Sequence, residues 1–223
     1  MDFVNYTNYK IELSNPEITF GIIFAVIALL VAITCKRGKN TFFDIETTTS
    51  IKGIAILFLI FGHFSVFCLE KKMFFDEGGY WAVIIFLFIS GYGLYQKYGL
   101  KNIDNNFWKK RLLKLYLPLW LTLPLFIILD HFLIDLHHHV PEIVLNFLGI
   151  HFNNVLIRVN AVAWFIEYII VLYIVYWATT KLHVSDVSKI AILFISCFFI
   201  SLTIYKTPLK DYHLIWVQYT LVF

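Results

Sequence analysis

Apolar runs recur along this chain, and they constrain its fold more than any other feature of the sequence. Each run is 16 to 20 residues long, close to the length that an α-helix needs to cross the hydrocarbon core of a bilayer. Hydrophobic residues make up 60% of the 223 residues, whereas charged residues make up only 15%. The sequence therefore predicts an all-α, polytopic integral membrane helix bundle with six full spans, at residues 18–34, 51–69, 79–95, 115–134, 161–180 and 190–205.

A seventh apolar run, residues 212–223, has only twelve residues, and the chain stops within it. We therefore expect the start of a seventh span, in a chain that is incomplete at its C-terminus. Lysine and arginine concentrate in the cytoplasmic loops of membrane proteins. With the N-terminus outside, the inner loops hold eleven of these residues and the outer segments hold six. This bias predicts an extracytoplasmic N-terminal tail at residues 1–17, followed by the membrane domain at residues 18–223.

Charge and cysteine usage exclude several other classes. Glu12 and Glu17, rather than basic residues, precede the first apolar run, so we expect no cleavable signal peptide. The three cysteines have neither metal-binding nor redox spacing. The net charge of +3 mostly reflects the loop bias, so we expect no nucleic-acid partner. The prediction is a multi-pass protein of the cytoplasmic membrane, with the lipid bilayer as its surroundings.

Two ionisable residues share the second apolar run. Lys52 and His63 are eleven positions apart, about three helical turns, which places both on one stripe about 16 Å apart along the axis. An imidazole near the middle of a bilayer is costly unless something uses or satisfies it. The spacing suggests one site that reaches two depths of the membrane. The alternatives are a hydrogen bond between helices for His63 and a side chain extended to the interface for Lys52.

Two further polar residues lie inside other runs. Ser90 is about 16 Å from the start of the third run, and Glu167 is about 9 Å from the outer end of the fifth. A neutral imidazole takes a proton from an alcohol, while a carboxylate fixes the imidazole tautomer or stabilises the cation that forms. His63, Ser90 and Glu167 could therefore line one cavity, with His63 and Glu167 as the catalytic pair. The alternative for Ser90, which precedes Gly91, is close helix packing.

Two loop segments carry chemistry of another kind. The cytoplasmic stretch KNIDNNFWKKRLLKLYLP, residues 101–118, suits an orientation signal and lipid anchor, or a surface for a phosphate-bearing substrate. The outer segment has a helical apolar pattern that is too short to span, formed by Ile143, Leu145, Phe147 and Ile150. This pattern predicts an amphipathic or re-entrant helix. The preceding DLHHHV holds three consecutive histidines. Because adjacent helix positions face different ways, we predict no metal site there.

Four blocks of the sequence resemble the membrane acyltransferases of the acyltransferase 3 family. Members begin a conserved span with arginine or lysine, ten residues and then histidine, as in KGIAILFLIFGH. A phenylalanine-rich block ending in SGY is similar to IIFLFISGYGLY. A basic entry to the next span matches FWKKRLLKLYLPLW, and a tryptophan block matches AWFIEYIIVLY. The blocks follow in the family's order over residues 50–176, with lysine at position 52 where arginine is commoner.

The resemblance implies that residues 18–223 are a membrane acyltransferase domain. It implies transfer of an acyl group, most often acetyl, from a cytoplasmic coenzyme A thioester to a hydroxyl of a cell-envelope polysaccharide or related glycan. Acyl coenzyme A is then the donor substrate, and no cofactor is expected. On this interpretation His63 and Glu167 are catalytic, and Lys52, Ser90 and Trp164 bind the donor or substrate.

Two other functions fit the same residues. A transporter or flippase for an envelope precursor would use His63 and Glu167 as a proton relay, and it would couple flux to pH without changing its substrate covalently. A non-catalytic membrane scaffold would tolerate substitution of the polar stripe.

Overall fold

The computed structural model describes residues 14–34, 43–69, 78–101, 103, 106–150, 159 and 164–206. Across these residues the regular structure consists of helices, without strands, so the all-α prediction is confirmed for this part of the chain. The seven helices are α1 (Pro16–Thr34), α2 (Ile45–Cys68), α3 (Gly78–Tyr98), α4 (Asn106–Ile134), α5 (Val140–Leu148), α6 (Trp164–Thr180) and α7 (Asp186–Lys206).

Three helices of the described chain are long and apolar enough to cross a membrane by length and composition. They lie at Ile45–Val66, Gly78–Tyr98 and Asn106–Leu133, and shorter apolar helices lie at Pro16–Leu30 and Phe165–Thr180. Every one of the six predicted spans overlaps a helix. Six crossings and an outer N-terminus stay predictions. Residues 1–13 of the predicted tail and the apolar run at residues 212–223 lie outside the described residues.

The chain divides into two compact units, Met1–Tyr92 and Gly93–Phe223. In the first unit, aromatic rings join α1 to α2. The Phe24 ring lies 4.7 Å from Phe61 and 5.6 Å from Phe58, measured between centroids. Phe20, which is buried, meets Phe61 edge to face at 5.5 Å. Such offset and edge-to-face ring pairs add to the dispersion energy that holds helices together in lipid.

The part of α3 in the first unit runs antiparallel to α2. A Cβ added at Gly78, the first residue of α3, would lie 3.0 Å from the carbonyl oxygen of Phe58. Fourteen residues later, the Tyr92 hydroxyl donates a 3.3 Å hydrogen bond to the carbonyl of Phe43, just before α2 begins. The absence of a side chain at Gly78 therefore allows the close approach of the two backbones.

In the second unit, the first turns of α4 pack against the last turns of α6. The Phe107 ring meets Tyr173 at 6.0 Å, and the Trp108 ring meets Trp177 at 5.9 Å. The Arg111 guanidinium lies 5.5 Å from the centre of the Tyr173 ring. Part of the basic segment thus packs on aromatic rings by cation–π contact, in addition to its predicted role as a lipid anchor.

Two lysines fix the segment between α3 and α4. Lys181 Nζ donates to the carbonyl of Ile103, and Lys189 Nζ donates to the carbonyl of Leu100, both at 2.6 Å. Lys189 is buried although it carries a charge. The two ammonium groups therefore satisfy the carbonyls of Leu100 and Ile103, which lie between helices and have no partner within a helix.

The outward face of α4 is apolar. Leu121, Leu125 and Phe132 are 65%, 59% and 77% exposed. A water-soluble domain rarely presents so continuous an apolar surface, whereas a lipid-facing helix does. This face supports the assignment of α4 as a membrane helix.

Candidate active site

Lys52 and His63 lie on one continuous helix. Because α2 runs unbroken from Ile45 to Cys68, helical geometry places the two residues about 16 Å apart along the axis and about 20° apart around it. Both side chains are half-buried. Two buried residues of the same helix, Ala55 and Ser65, lie about 60° and about 140° around the axis from Lys52, so the most buried side of α2 is not the side that carries Lys52 and His63.

The start of α2 differs from the start of the apolar run. Asp44 caps the helix, since its Oδ1 accepts a 2.7 Å hydrogen bond from the backbone N–H of Thr47. An aspartate at this position satisfies one of the free donors of the first turn and complements the helix dipole. The helix therefore begins at Ile45, six residues before the predicted span. Lys52 lies about 12 Å along α2 from its cap.

Ser90 is a half-buried residue of α3 in the same unit. It lies two residues before Tyr92, whose ring packs 5.5 Å from the Phe43 ring at the beginning of α2. Because α3 is antiparallel to α2, this contact favours a position nearer to Lys52 than to His63. The packing of α3 on α2 therefore does not favour the shared depth of Ser90 and His63 that the sequence predicts.

In the second unit, α5 folds back along α4. The Tyr116 hydroxyl donates to the carbonyl of Leu148 at 2.7 Å, and Trp120 Nε1 donates to the carbonyl of Phe147 at 2.9 Å. At the other end of α5, His138 Nε2 is 2.8 Å from Asp130 Oδ2. From Asp130 back to Tyr116, α4 covers about 21 Å. The short helix therefore runs back along α4, from the C-terminal end of α4 toward its middle. Its amphipathic or re-entrant position in a membrane stays a prediction.

The C-terminal end of α5 is fully hydrogen-bonded, although the last four carbonyls of a helix have no partner within it. Gly149, with φ of +68°, forms a left-handed cap. The N–H of Gly149 donates to the backbone carbonyl of Asn146, and the N–H of Ile150 donates to the backbone carbonyl of Leu145, as in a Schellman motif. The carbonyls of Phe147 and Leu148 accept the hydrogen bonds from the side chains of Trp120 and Tyr116 on α4. A helix end completed without water suits a position inside a bilayer.

The exposure pattern of α5 is the reverse of that of a helix on a water-soluble protein. Val140, Val144 and Leu148 are exposed, whereas Glu142 and Asn146 are buried. Asn146 Nδ2 donates to the backbone carbonyl of Glu142 at 2.9 Å. An apolar outer face and a polar inner face are what lipid surroundings favour.

The first turn of α6 packs against the C-terminal end of α5. A Cβ added at Gly149 would lie 3.2 Å from Ile166 Cγ2 and 3.3 Å from the Tyr116 hydroxyl. The next residue, Glu167, is buried at 8% exposure. Its carboxylate lies close enough to the Tyr116 hydroxyl to act on it electrostatically. Glu167 thus lies beside the middle of α4, next to Tyr116. Its predicted distance of about 9 Å from the outer end of the span stays a prediction.

Of the predicted site residues, Lys52, His63 and Ser90 belong to the first unit, and Glu167 and Trp164 belong to the second. Trp164 is the first residue of α6, and its side chain lies outside the description. The sequence did not predict that Tyr116, Trp120 and Gly149 lie near the site residues of the second unit. The glycine that ends an amphipathic run was the one available signal.

The described residues form helices without strands, and three of these helices are long and apolar enough to cross a membrane. Together with the α5 helix packed back along α4, they are typical of an integral membrane protein. The family model described as an acyltransferase domain matches residues 49–223. The chain therefore belongs to the acyltransferase 3 family, as its four sequence blocks predict. No curated protein and no solved structure matches the chain. Family membership supports acyltransferase activity in general, in a lipid bilayer.

Proposed function

We propose that this protein is an O-acyltransferase of the cytoplasmic membrane. It transfers an acyl group, with acetyl as the first candidate, from a cytoplasmic coenzyme A thioester to a hydroxyl of a cell-envelope polysaccharide or related glycan. The observation that carries the proposal is the placement of Lys52 and His63 on one face of the unbroken helix α2. Family membership supplies the reaction class.

The chemistry assigned to His63 is general base catalysis. Its neutral imidazole takes the proton of the acceptor hydroxyl as the oxygen attacks the thioester carbonyl carbon. The carbon–sulfur bond then breaks, and the imidazolium returns the proton to the departing thiolate. The products are an ester and free coenzyme A. Such proton transfer contributes about 10²- to 10⁴-fold to the rate.

Lys52 is assigned to binding of the acyl coenzyme A donor. Coenzyme A carries its phosphates at one end of a long pantetheine arm and its thioester at the other. An ammonium about 16 Å along the helix from the base suits that separation, since a lysine binds phosphate as a point charge. Ser90, nearer to Lys52 by its contacts, is assigned to the same end. No further cofactor is required by this chemistry.

Glu167, in the second unit, is assigned to the glycan acceptor. Its side chain is buried, and an ionised carboxylate accepts hydrogen bonds such as those that the hydroxyl groups of a glycan donate. Trp164, one turn earlier on α6, offers an aromatic surface of the kind that stacks on sugar rings. Both residues stay predictions of the site.

The test is acyl transfer in membranes that contain the full-length protein. Radiolabelled acetyl coenzyme A and envelope glycan are supplied, and base-labile label on the glycan is measured. We expect His63→Gln to lower kcat by about 10²-fold or more, with little change in the KM for the donor. His183→Gln, in an exposed turn between α6 and α7, is the matched control and retains full activity.

The outcomes separate the alternatives. Full transfer by His63→Gln removes this residue from catalysis. Absence of label with every acyl donor, together with pH-coupled movement of an unmodified envelope precursor, would establish the transporter. Unchanged cell-envelope composition in all variants of the α2 face would support the scaffold.

A further inference from the structure

The connection between α4 and α5 turns sharply at Asp135. This residue has φ of +52°, a left-handed conformation that aspartate adopts more readily than most residues. The turn is closed by a 3.0 Å hydrogen bond from the N–H of Leu136 to the carbonyl of Asp130. As a result His137 folds back over the last turn of α4. Its ring lies 4.7 Å from the His131 ring, nearly perpendicular to it.

The three consecutive histidines have three different environments. The segment is not helical, and side chains alternate along an extended backbone. His138 is buried against Asp130 and lies 4.0 Å from Glu142 Oε2. His139 precedes α5, and its N–H donates to the Glu142 carboxylate at 3.1 Å. His137 alone of the three faces His131 and Asp135.

We infer that His131, Asp135 and His137 form a binding site for a divalent transition-metal ion, with Zn²⁺ as the first candidate. One donor atom from each residue lies within 4.8 Å of the other two. His137 Nδ1 is 3.8 Å from Asp135 Oδ1. Two imidazoles and one carboxylate are a ligand set that Zn²⁺ takes in proteins.

The geometry requires only side-chain adjustment. Ligands about 2.1 Å from a tetrahedral ion are about 3.4 Å apart, so the widest pair closes by roughly 1.4 Å. All three side chains are exposed, so the ion has access. His137 Nδ1 also lies 3.3 Å from the carbonyl oxygen of Asp135, a contact that gives way if this nitrogen binds the ion. Three protein ligands leave one position for water or another oxygen ligand. The bound ion would tie the end of α4 to the segment that leads into α5.

The sequence prediction of no metal site considered only His137, His138 and His139 as ligands to one ion. In the structure, His131 and Asp135 take the places of His138 and His139 beside His137. Spacing along the sequence does not indicate that these three residues lie together. His131 belongs to a helix and Asp135 to a turn, and only the fold brings them to His137. A mixed imidazole and carboxylate set favours Zn²⁺, Ni²⁺ or Cu²⁺ over Mg²⁺ or Ca²⁺.

The test uses full-length protein in detergent, purified without a polyhistidine tag and stripped of metal with EDTA. Zn²⁺ binding is measured by calorimetry, and Co²⁺ is titrated as a coloured substitute. We expect one site that excess Mg²⁺ does not compete for. His131→Gln and His137→Gln should each weaken binding about tenfold or more, by the scale of losses at metal sites. Asp135→Asn should weaken it as well.

The decisive control is His139→Gln. If the run of three histidines simply chelated metal as a tag does, this variant would lose as much affinity as His137→Gln, and His131→Gln would lose none. The proposed site predicts the opposite order. Wild-type protein without stoichiometric Zn²⁺ binding would also overturn the proposal.

A second readout guards against altered folding in the variants. In wild-type protein, Zn²⁺ should protect His131 and His137 from acylation by diethyl pyrocarbonate, as located by mass spectrometry. His139 and His183 should react at the same rate with and without the ion. Equal reactivity of all four residues in the presence of Zn²⁺ would exclude the site.

Discussion

The hydroxyl of Tyr116 donates a 2.7 Å hydrogen bond to the backbone carbonyl of Leu148, and this bond fixes the end of α5 against the middle of α4. A carbonyl at a helix end that faces lipid has no water to bond with, and leaving it unpaired is costly. The position of α5 therefore depends on side chains of α4 as much as on its own sequence. Glu167 lies at the same place, so the position of α5 and the environment of that carboxylate are linked.

Tyr116→Phe should destabilise the protein while leaving the shape of the residue unchanged. The variant removes one hydrogen bond and leaves the Leu148 carbonyl without its donor, for a loss of about 1 kcal/mol. Thermal unfolding in detergent should show a midpoint lower by about 2–4 °C. Tyr95→Phe, an exposed tyrosine of α3, is the matched control with no shift. An unchanged midpoint for Tyr116→Phe would mean that the bond adds no stability.

Gly149→Ala should be more harmful than a glycine substitution elsewhere. An alanine at φ of +68° is strained by about 1–2 kcal/mol, and its Cβ would crowd Ile166 and the Tyr116 hydroxyl. Gly93→Ala is the control, because a Cβ there meets nothing within 4 Å and alanine favours a helix. We expect a lower unfolding midpoint and lower acyl transfer for Gly149→Ala only. Equal behaviour of the two variants would contradict the role of this cap.

Hydropathy predicted the helices well because burial in lipid requires long apolar runs whatever the tertiary structure. The runs at residues 51–69 and 79–95 correspond to α2 and α3. Helix ends were less predictable, since caps and amphipathic turns extend beyond the apolar run. Asp44 and the polar turn after it illustrate this, because α2 begins six residues before its run.

The helical relationship between Lys52 and His63 was predictable because it depends on position along a single helix. The surroundings of Glu167 were not, since they depend on how α5 returns along α4. That return is set by hydrogen bonds from Tyr116 and Trp120 to main-chain carbonyls, and a backbone acceptor has no sequence signature. The grouping of His131 with His137 also arises only from the turn at Asp135.

Lys189→Met should destabilise the second unit. Lys189 is buried, and its ammonium donates to the carbonyl of Leu100. A bond from a charged donor contributes about 1.5–3 kcal/mol, and methionine keeps the length of the side chain without the donor. Lys109→Met, at an exposed position of α4, should leave the unfolding midpoint unchanged. If both variants unfold at the wild-type temperature, the Leu100 contact does not stabilise the fold.

Lys52 provides a test of donor binding that is separate from the test of His63. If the ammonium binds a phosphate of coenzyme A, Lys52→Met should raise the KM for the acyl donor about tenfold, equivalent to about 1.4 kcal/mol, with a smaller change in kcat. Lys52→Arg keeps the charge and should restore a KM near that of wild type. A lysine that merely extends to the interface would give the same KM in all three proteins. A loss of kcat in Lys52→Met without a change in donor KM would instead place this residue in the chemical step, and the donor phosphates would then have to bind elsewhere.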